Sequence, residues 1–495
     1  MSRRLKPFDA LEGAQAASSD PLVHAALSAS AGTGKTHVLT SRVLRLLLRG
    51  TPPSAILCLT FTKGGAAEMS NRIGERLAHW VRLPDVDLKK ELFALGEAND
   101  PQSIQRARRL FARVLEAPGG GLRIQTIHSF AQTLLGAFPA EAGIAPGFRP
   151  IEGRAEAEIA RRTLATLLAD AEATGDEPLI ADVSSLSLRL GEEGAASYLM
   201  ECARAHEAMG SLGPPDSIAA RLFGLLGLDG NNPDADLASH FADDAIDVTM
   251  FEQLITANRI WGGVKGLKIV ANLSAFLAAA PVERVALIDD LGANLVTATG
   301  EMCKVSPKQL AADPGYEDLA ADFAAWWIEV RTLRAAAALA VTQAAGLRAG
   351  QAFARAYVRA KRAAGVADFN DLIHWTRQLF DKPGMGDWVR YKLDQRTDHI
   401  LIDEAQDTNA DQWAIVDALA AEYFTGNPEA EDRWRTLFMV GDYKQAIFGF
   451  QGTNPKEYKR FRDHIADQVA ANDTAADVNL QARECLDLSI DASFR

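Results

Sequence analysis

No stretch of this chain constrains its fold as tightly as Ser28-Ala29-Ser30-Ala31-Gly32-Thr33-Gly34-Lys35-Thr36. Small residues and two glycines let the backbone curl where bulky side chains would block it. The apolar run 26–30 before it predicts a strand. Val38, Leu39, Val43, Leu46 and Leu47 after it form the apolar stripe of a helix predicted over 36–48. A turn between such elements aims backbone N–H groups at a helix amino end, which suits phosphate oxygens. Lys35 then faces the outer phosphates of a triphosphate, and the Thr36 hydroxyl suits Mg²⁺. The general pattern begins with Gly where this chain has Ala29. A glycine turn that binds nothing is the alternative, and Gly-Lys-Thr between a strand and a helix argues against it. Ala29, Ser30, Ala31, Gly32, Thr33, Gly34, Lys35 and Thr36 are therefore the candidate ATP-binding residues.

The surrounding pattern fits that reading. Apolar runs at 26–30 and 55–61 alternate with helical stretches at 36–48 and 66–80, which predicts βαβ units and a parallel sheet. From 151 to 350 the chain turns to Ala, Leu, Glu and Arg at helical spacing, broken near 210–215 and 230–233. This segment reads as a mostly helical insertion. Its last part, 317–364, holds only Gly346 and Gly350 as breakers, so one very long helix or two end to end are expected. The α/β pattern then resumes. The expected fold is an α/β P-loop domain with a parallel sheet, in segments 1–150 and 351–495, interrupted by a helical domain over 151–350.

A triphosphate site needs a second element, a buried strand that delivers a carboxylate to the metal. His399-Ile400-Leu401-Ile402-Asp403-Glu404-Ala405-Gln406-Asp407 has that form. The apolar trio suits a parallel strand buried on both faces, and Asp403 emerges at its carboxyl end, where such sheets place ligands. Asp403 is the candidate second metal ligand beside Thr36. Glu404 is the candidate base for the attacking water.

The net charge of −13 argues against nucleic acid only if it is evenly spread. It is not: residues 1–150 carry 19 Lys and Arg against 12 Asp and Glu, a local +7, which leaves −20 for the rest. Each charge acts over only about 10 Å at ordinary salt, so a local basic surface suffices for phosphate binding. Four well-separated cysteines suggest neither a disulfide frame nor a metal knuckle. No apolar stretch is long enough to span a membrane, and the amino terminus lacks a secretory core. A cytoplasmic setting is expected. The acidic run from Asp229 to Asp236 looks like a calcium loop, but it has Pro233 at the fifth position, Asp234 where the turn glycine belongs and His240 at the twelfth. It is read as an acidic loop.

A second apolar strand, Leu437-Phe438-Met439-Val440, leads into Gly441-Asp442-Tyr443-Lys444-Gln445-Ala446-Ile447-Phe448-Gly449-Phe450-Gln451-Gly452. With it, the set of motifs resembles the UvrD/Rep-like branch of superfamily 1 DNA helicases. The resemblance also covers Leu59-Thr60-Phe61-Thr62-Lys63, Gln125-Thr126-Ile127-His128-Ser129-Phe130, Gln15 ahead of Asp20-Pro21, and the closing Leu488-Ser489-Ile490-Asp491-Ala492-Ser493-Phe494-Arg495. It implies that Gln15 reads adenine and Phe494 stacks on it. It further implies that Gln445 senses the γ-phosphate and that Arg495 is the arginine finger. Phe61, Thr62, Thr126, His128 and Phe450 would contact single-stranded DNA, as aromatic faces and hydroxyls can without regard to sequence. For His128 a buried structural histidine stays open, and for each aromatic a packed core residue. Two departures stand out. Gln451 replaces the usual arginine, and Lys63-Gly64-Gly65 is expected to be more flexible than the usual alanine-rich version.

His128 and Asp403 are 275 positions apart, and so large a helical insertion resembles that of the AddA subunit family of bacterial AddAB helicase–nucleases, or of the related RecB, with AddA favoured. A UvrD/PcrA- or RecB-type repair helicase is the alternative. That resemblance implies an ATP-driven 3′–5′ translocase with an AddB-like partner, acting on single-stranded DNA and duplex ends in double-strand break repair. It also implies a second motor domain and a nuclease domain, so the chain reads as the amino-terminal portion of a longer protein. That portion alone is expected to bind ATP or DNA with little turnover. Asp368-Phe369-Asn370-Asp371-Leu372 resembles a short motif of this branch and is equally consistent with a helix cap.

Overall fold

The computed structural model describes residues 5–30, 33–117, 121–229, 232–297, 299–394, 397–424, 434–442, 455–473 and 485–490. Two compact units divide the chain: Met1–Glu152 with Gly365–Arg495, and Gly153–Ala364.

The first unit is built on β1 (His24–Ala29), β2 (Ile56–Thr60), β3 (Arg123–Thr126), β6 (His399–Ile402), β7 (Thr436–Gly441) and β8 (Cys485–Ile490). A separate two-residue pair, β4 (Arg149–Pro150) and β5 (Val366–Ala367), joins the two ends of the unit where the chain leaves and returns. A short helix, α1 (Gly13–Ser18), precedes β1 and carries Gln15. The main sheet runs β3-β2-β6-β7-β1-β8, and every pairing is parallel. Alternate residues feed opposite faces, as a pleated strand requires. Ala25, Leu27, Ile56, Cys58, Leu401, Phe438 and Val440 pack under α2 (Lys35–Leu48) and α3 (Lys63–Arg82). Ala26, Leu57, Leu59, Ile400, Ile402, Leu437 and Met439 pack under the helices Ile127–Ala137, Phe369–Asp381, Ala410–Phe424 and Pro455–Asp473. Both faces are covered, which is why these strands are almost wholly apolar in sequence.

At the edge where the strands begin, the fully buried Arg42 of α2 donates to the carbonyls of Ser18 (2.7 Å) and Val23 (2.5 Å) and to Thr436 Oγ1 (3.1 Å). His399 Nδ1 lies 2.8 Å from the same hydroxyl. Burial drives the Arg42 guanidinium down to about 9. Burial first, and then Arg42 and His24, drive the His399 imidazole down to about 3. A hollow of about 1710 Å³ opens at this edge, beside Leu122, Asp398, His399 and Trp434, and no candidate site residue lines it among those described.

The second unit is helical, and its last helix, Tyr316–Ala364, runs 49 residues without a break. Of the two expected forms the single helix is found, so the return to the sheet unit falls at Gly365 rather than at 351. Gly346 and Gly350 are close-approach points, not breaks. A methyl group on Gly350 would stand 2.5 Å from Cys202 Sγ, and one on Gly346 would stand 3.1 Å from Tyr198 Oη. Arg348 adds a two-pronged bond to Asp182, at 2.8 and 2.6 Å. Phe251, Phe276, Phe323 and Trp327 fill a second core, and the Trp327 indole donates to the carbonyl of Ile288. In the acidic run near 229–236, Asp236 accepts from the Asp229 N–H and Asn232 caps the helix Pro233–Ser239. Those groups close a helix end. Among the described residues no group of three or more His, Cys, Asp or Glu is placed to hold a metal ion. Among them no helix is long and apolar enough to cross a membrane.

Candidate functional site

All strands of the main sheet point the same way, so their carboxyl ends share one edge, and the candidate residues leave the sheet there. Ala29 ends β1, and Ser30 starts the turn. The Ser30 carbonyl accepts from the Thr33 N–H (3.2 Å) and from its hydroxyl (2.6 Å), which closes the loop. Gly34 then takes φ +96°, a value costly for any residue with a side chain, and α2 starts at Lys35. No side chain caps this helix. Among the described residues no capping side chain takes its first N–H groups, which stand at the positive end of a 14-residue helix and suit an anionic ligand. Gln15 is buried beside the loop: a methyl group on Gly34 would stand 3.3 Å from its Nε2. Ala31 and Gly32 lie outside the described residues.

The acidic end of β6 meets this loop. Only β7 separates β1 from β6, a gap of about 10 Å at ordinary strand spacing. The Lys35 side chain bridges it, with Nζ 2.9 Å from Glu404 Oε2. Glu404 adopts φ 52°, ψ 44°, the left-handed region that a non-glycine residue occupies at a cost of about 1–2 kcal/mol. That conformation reverses the chain into the short turn Ala405–Asp407. Asp403 holds the Glu404 N–H at 3.0 Å through its own carboxylate. Burial, and then the negative Glu404, push the Asp403 carboxyl up to about 6. Asp407 is raised by the same two causes. Three carboxylates facing one lysine leave negative charge to spare. Mg²⁺ is bound by one or two carboxylates completed by phosphates and water, so Asp403 and the Thr36 hydroxyl fit it.

Gln406, to which the sequence reading gave no role, links this site to the next strand. Its Nε2 donates to Glu404 Oε2 (2.7 Å) and its Oε1 accepts from the Asp442 N–H (2.9 Å). It is buried, and a methyl group on Gly441 would stand 2.8 Å from that oxygen. Its signal was its place in the acidic turn. Its partner, 36 residues on, was not visible. Gln445, Phe450 and Gln451, which follow Asp442, lie outside the described residues, as do Phe494 and Arg495.

The candidate DNA contacts leave neighbouring strands at one level, because Thr60 of β2 pairs with Thr126 of β3. Phe61 is half-buried and Thr62 is exposed. Thr62 caps α3, accepting from the Gly65 N–H at 2.9 Å. Lys63-Gly64-Gly65 is helical, and Gly65 leaves room for two hydroxyls, since a methyl there would stand 3.0 Å from Thr60 Oγ1 and 3.1 Å from Thr62 Oγ1. Thr126 is buried as the cap of the helix Ile127–Ala137, accepting from the Ser129 N–H at 3.1 Å. His128, two residues on, is half-buried, and its ring centroid lies 4.9 Å from that of Phe369. Burial lowers its pKa. Asp371 accepts from the Asp368 N–H at 3.0 Å and Asp368 from the Asp371 N–H at 2.9 Å, the reciprocal cap expected of that motif's helix start.

Residues 12–466 match the UvrD/REP helicase N-terminal domain. The chain belongs to that family. Within it, the chain is similar to the AddA subunit of the ATP-dependent helicase/nuclease of Streptococcus equi subsp. zooepidemicus, with 25% identity over 468 residues, 88% of this chain and 34% of that protein. It is similar also to proteins of the same description from Anoxybacillus flavithermus (26% over 477 residues; 88% and 36%) and Desulforudis audaxviator (26% over 520 residues; 95% and 38%). The chain thus spans about a third of the length of these relatives. The parallel sheet with helices on both faces is the architecture expected of a UvrD/REP amino-terminal domain.

Proposed function

We propose that this chain supplies the ATP-binding half of a DNA helicase motor, moving 3′ to 5′ on one strand. In this reading the sheet unit is the first motor domain and Gly153–Ala364 is a domain inserted in it. The motor works in a two-subunit helicase–nuclease with an AddB-like partner, on single-stranded DNA and duplex ends, in cytoplasmic double-strand break repair. The relatives are described as one subunit of a helicase/nuclease, which supports the assembly. One observation carries the nucleotide site: Lys35 of the phosphate loop and Glu404 of the acidic strand end meet at 2.9 Å across β7.

The proposed reading implies an order of events. Lys35 pairs with Glu404 across β7. A triphosphate seated on the amino end of α2 draws the Lys35 ammonium to its outer phosphates, which frees the Glu404 carboxylate to take a proton from the attacking water. Gln406 keeps that carboxylate aimed, through its bond to Oε2. Asp403 and Thr36 would hold Mg²⁺, which would supply neutralisation of the phosphate charge. Because Gln406 also holds the Asp442 N–H, movement at the exit of β7 reaches the base through a single side chain.

Binding of a fluorescent ATP analogue with Mg²⁺ to the 495-residue chain tests the reading. Saturable binding that Lys35→Ala abolishes, in a variant with an unchanged melting profile, is expected. Equal binding by the variant would overturn the phosphate-loop assignment.

A further inference from the structure

We propose that Arg45, held by Glu97, is a positioning residue that fixes Gln15 and so sets the preference for adenine at the nucleotide site. The inference rests on the ATP-binding reading above and adds to it what makes the site selective for a base.

Gln15 stands on α1, beside the phosphate loop. It is buried, yet its side-chain amide has no hydrogen-bond partner among the described residues. An amide pairs a donor with an acceptor, which matches the N6 donor and N7 acceptor of adenine. Guanine presents two acceptors there, O6 and N7, so half of the amide would meet a like group. Such discrimination needs an amide that cannot turn or drift. α1 has six residues, too few for a helix to hold its own shape in water.

Its place is set from outside. Arg45 of α2 donates to the Ala16 carbonyl (3.2 Å) and to Ser19 Oγ (2.8 Å), at the exit of α1. Ser19 Oγ in turn donates to the same carbonyl at 3.0 Å. A cation at that point also faces the negative end of the short helix. Glu97 aims the guanidinium, accepting from its Nε at 2.9 Å, and the two side chains are only 8% and 12% exposed. Glu97 follows the helix Asp85–Ala94, whose end also anchors the entry to α1: the Leu11 N–H donates to the Ala94 carbonyl at 3.0 Å. Both ends of α1 are therefore tied to one place.

α2 joins this grip to the phosphate end of the site. It opens at Lys35, and Arg45 lies ten residues on, about 15 Å along the axis. One helix thus fixes the span from the phosphate contact to the base reader. Arg42, one turn earlier, reaches α1 through the Ser18 carbonyl, but it also holds Val23 and Thr436 and so supports the sheet. The bonds of Arg45 go to the exit of α1 and to Glu97, which makes it the residue to test.

Competition of ATP and of GTP against a fluorescent ATP analogue, with Mg²⁺ and the full 495-residue chain, supplies that test. The parent is expected to prefer ATP by about 5- to 150-fold, the range for one bidentate base contact. Gln15→Ala is expected to abolish the preference. Arg45→Met keeps the buried stem without the guanidinium, and should lower the preference about threefold or more by weakening ATP while GTP affinity holds. Arg45→Lys keeps the charge but lacks the planar fork that reaches Glu97 and Ala16 together, so it too should lose preference. An unchanged ratio of the two affinities in both variants, or an equal fall for both nucleotides, would reduce Arg45 to a structural ion pair and overturn the inference. If Arg45→Met fails to fold, Arg45→Lys decides alone. A parent without preference, or a Gln15→Ala variant that keeps it, sinks base reading by Gln15 and the inference with it. Absence of binding of either nucleotide by the parent sinks the ATP-binding reading itself. A preference that needs Gln15 but is indifferent to Arg45 sinks only the positioning role.

Discussion

Replacing Glu404 by glutamine should tighten ATP binding while stopping hydrolysis, and the structure sets the size of the effect. Glu404 stands 2.9 Å from the Lys35 ammonium, so it competes with phosphate for that charge. A hydrogen bond between charged groups contributes about 1.5–3 kcal/mol when shielded from water. Here the lysine side chain is 11% exposed but the glutamate is 38% exposed, so solvent screens the pair. A discounted value of about 1 kcal/mol is appropriate, and releasing it corresponds to roughly fivefold tighter binding. The amide introduced by Glu404→Gln keeps the length of the side chain and its oxygen can still accept from Gln406, so the fold is preserved. Lys35→Ala breaks the same ion pair yet should lose nucleotide, because it removes the phosphate contact too. The assay is titration with a fluorescent ATP analogue and Mg²⁺ at two ionic strengths, the gain being smaller at higher salt. Weaker or unchanged binding by Glu404→Gln would refute the competition argument, whatever its hydrolysis rate.

Gln406→Leu leaves the buried Asp442 N–H without its acceptor, so the sheet unit should lose about 1–3 kcal/mol; an unchanged urea midpoint would show that another group takes over. His399 has its folded-state pKa depressed to about 3, below the unfolded value of 6.5. Its stabilising contribution is therefore complete above pH 6.5 and lost as pH falls toward 3, at up to about 1.4 kcal/mol per pH unit and about 5 kcal/mol at most. Urea midpoints at about pH 7, 6 and 5, spanning that window, should fall less steeply for His399→Gln, and parallel profiles would exclude His399 as the acid-sensitive group. Gly350→Ala gains helix propensity but sets a methyl 2.5 Å from Cys202 Sγ, so the helical unit should melt earlier, destabilised by about 1–3 kcal/mol. A Cys202→Ala change should restore part of that loss; stabilisation by Gly350→Ala alone would contradict the close approach.

Much of the local architecture follows from sequence alone. The strand, glycine turn and helix around Lys35 are set by backbone freedom at Gly34 and by the helical spacing of Val38, Leu39 and Val43. The buried strand ahead of Asp403 is set by a run of residues apolar on both faces. The long helix was legible as a pattern, but not whether Gly346 and Gly350 would break it, because that depends on Tyr198 and Cys202 across the interface. The same limit explains Gln406. A residue's role is hidden when its partner lies on another strand or helix.

What the sequence by itself determined, then, is chemistry at single positions and periodicity within single elements. Tertiary structure alone decided the neighbours: β7 between β1 and β6, Lys35 against a glutamate 369 residues away, and the His128 ring beside Phe369. The physical reason is range. Dihedral preferences and apolar spacing act within a few residues, whereas strand order follows from how crossovers bury both faces of the sheet. The phosphate loop could be read from a single short segment; the site it belongs to required the whole sheet.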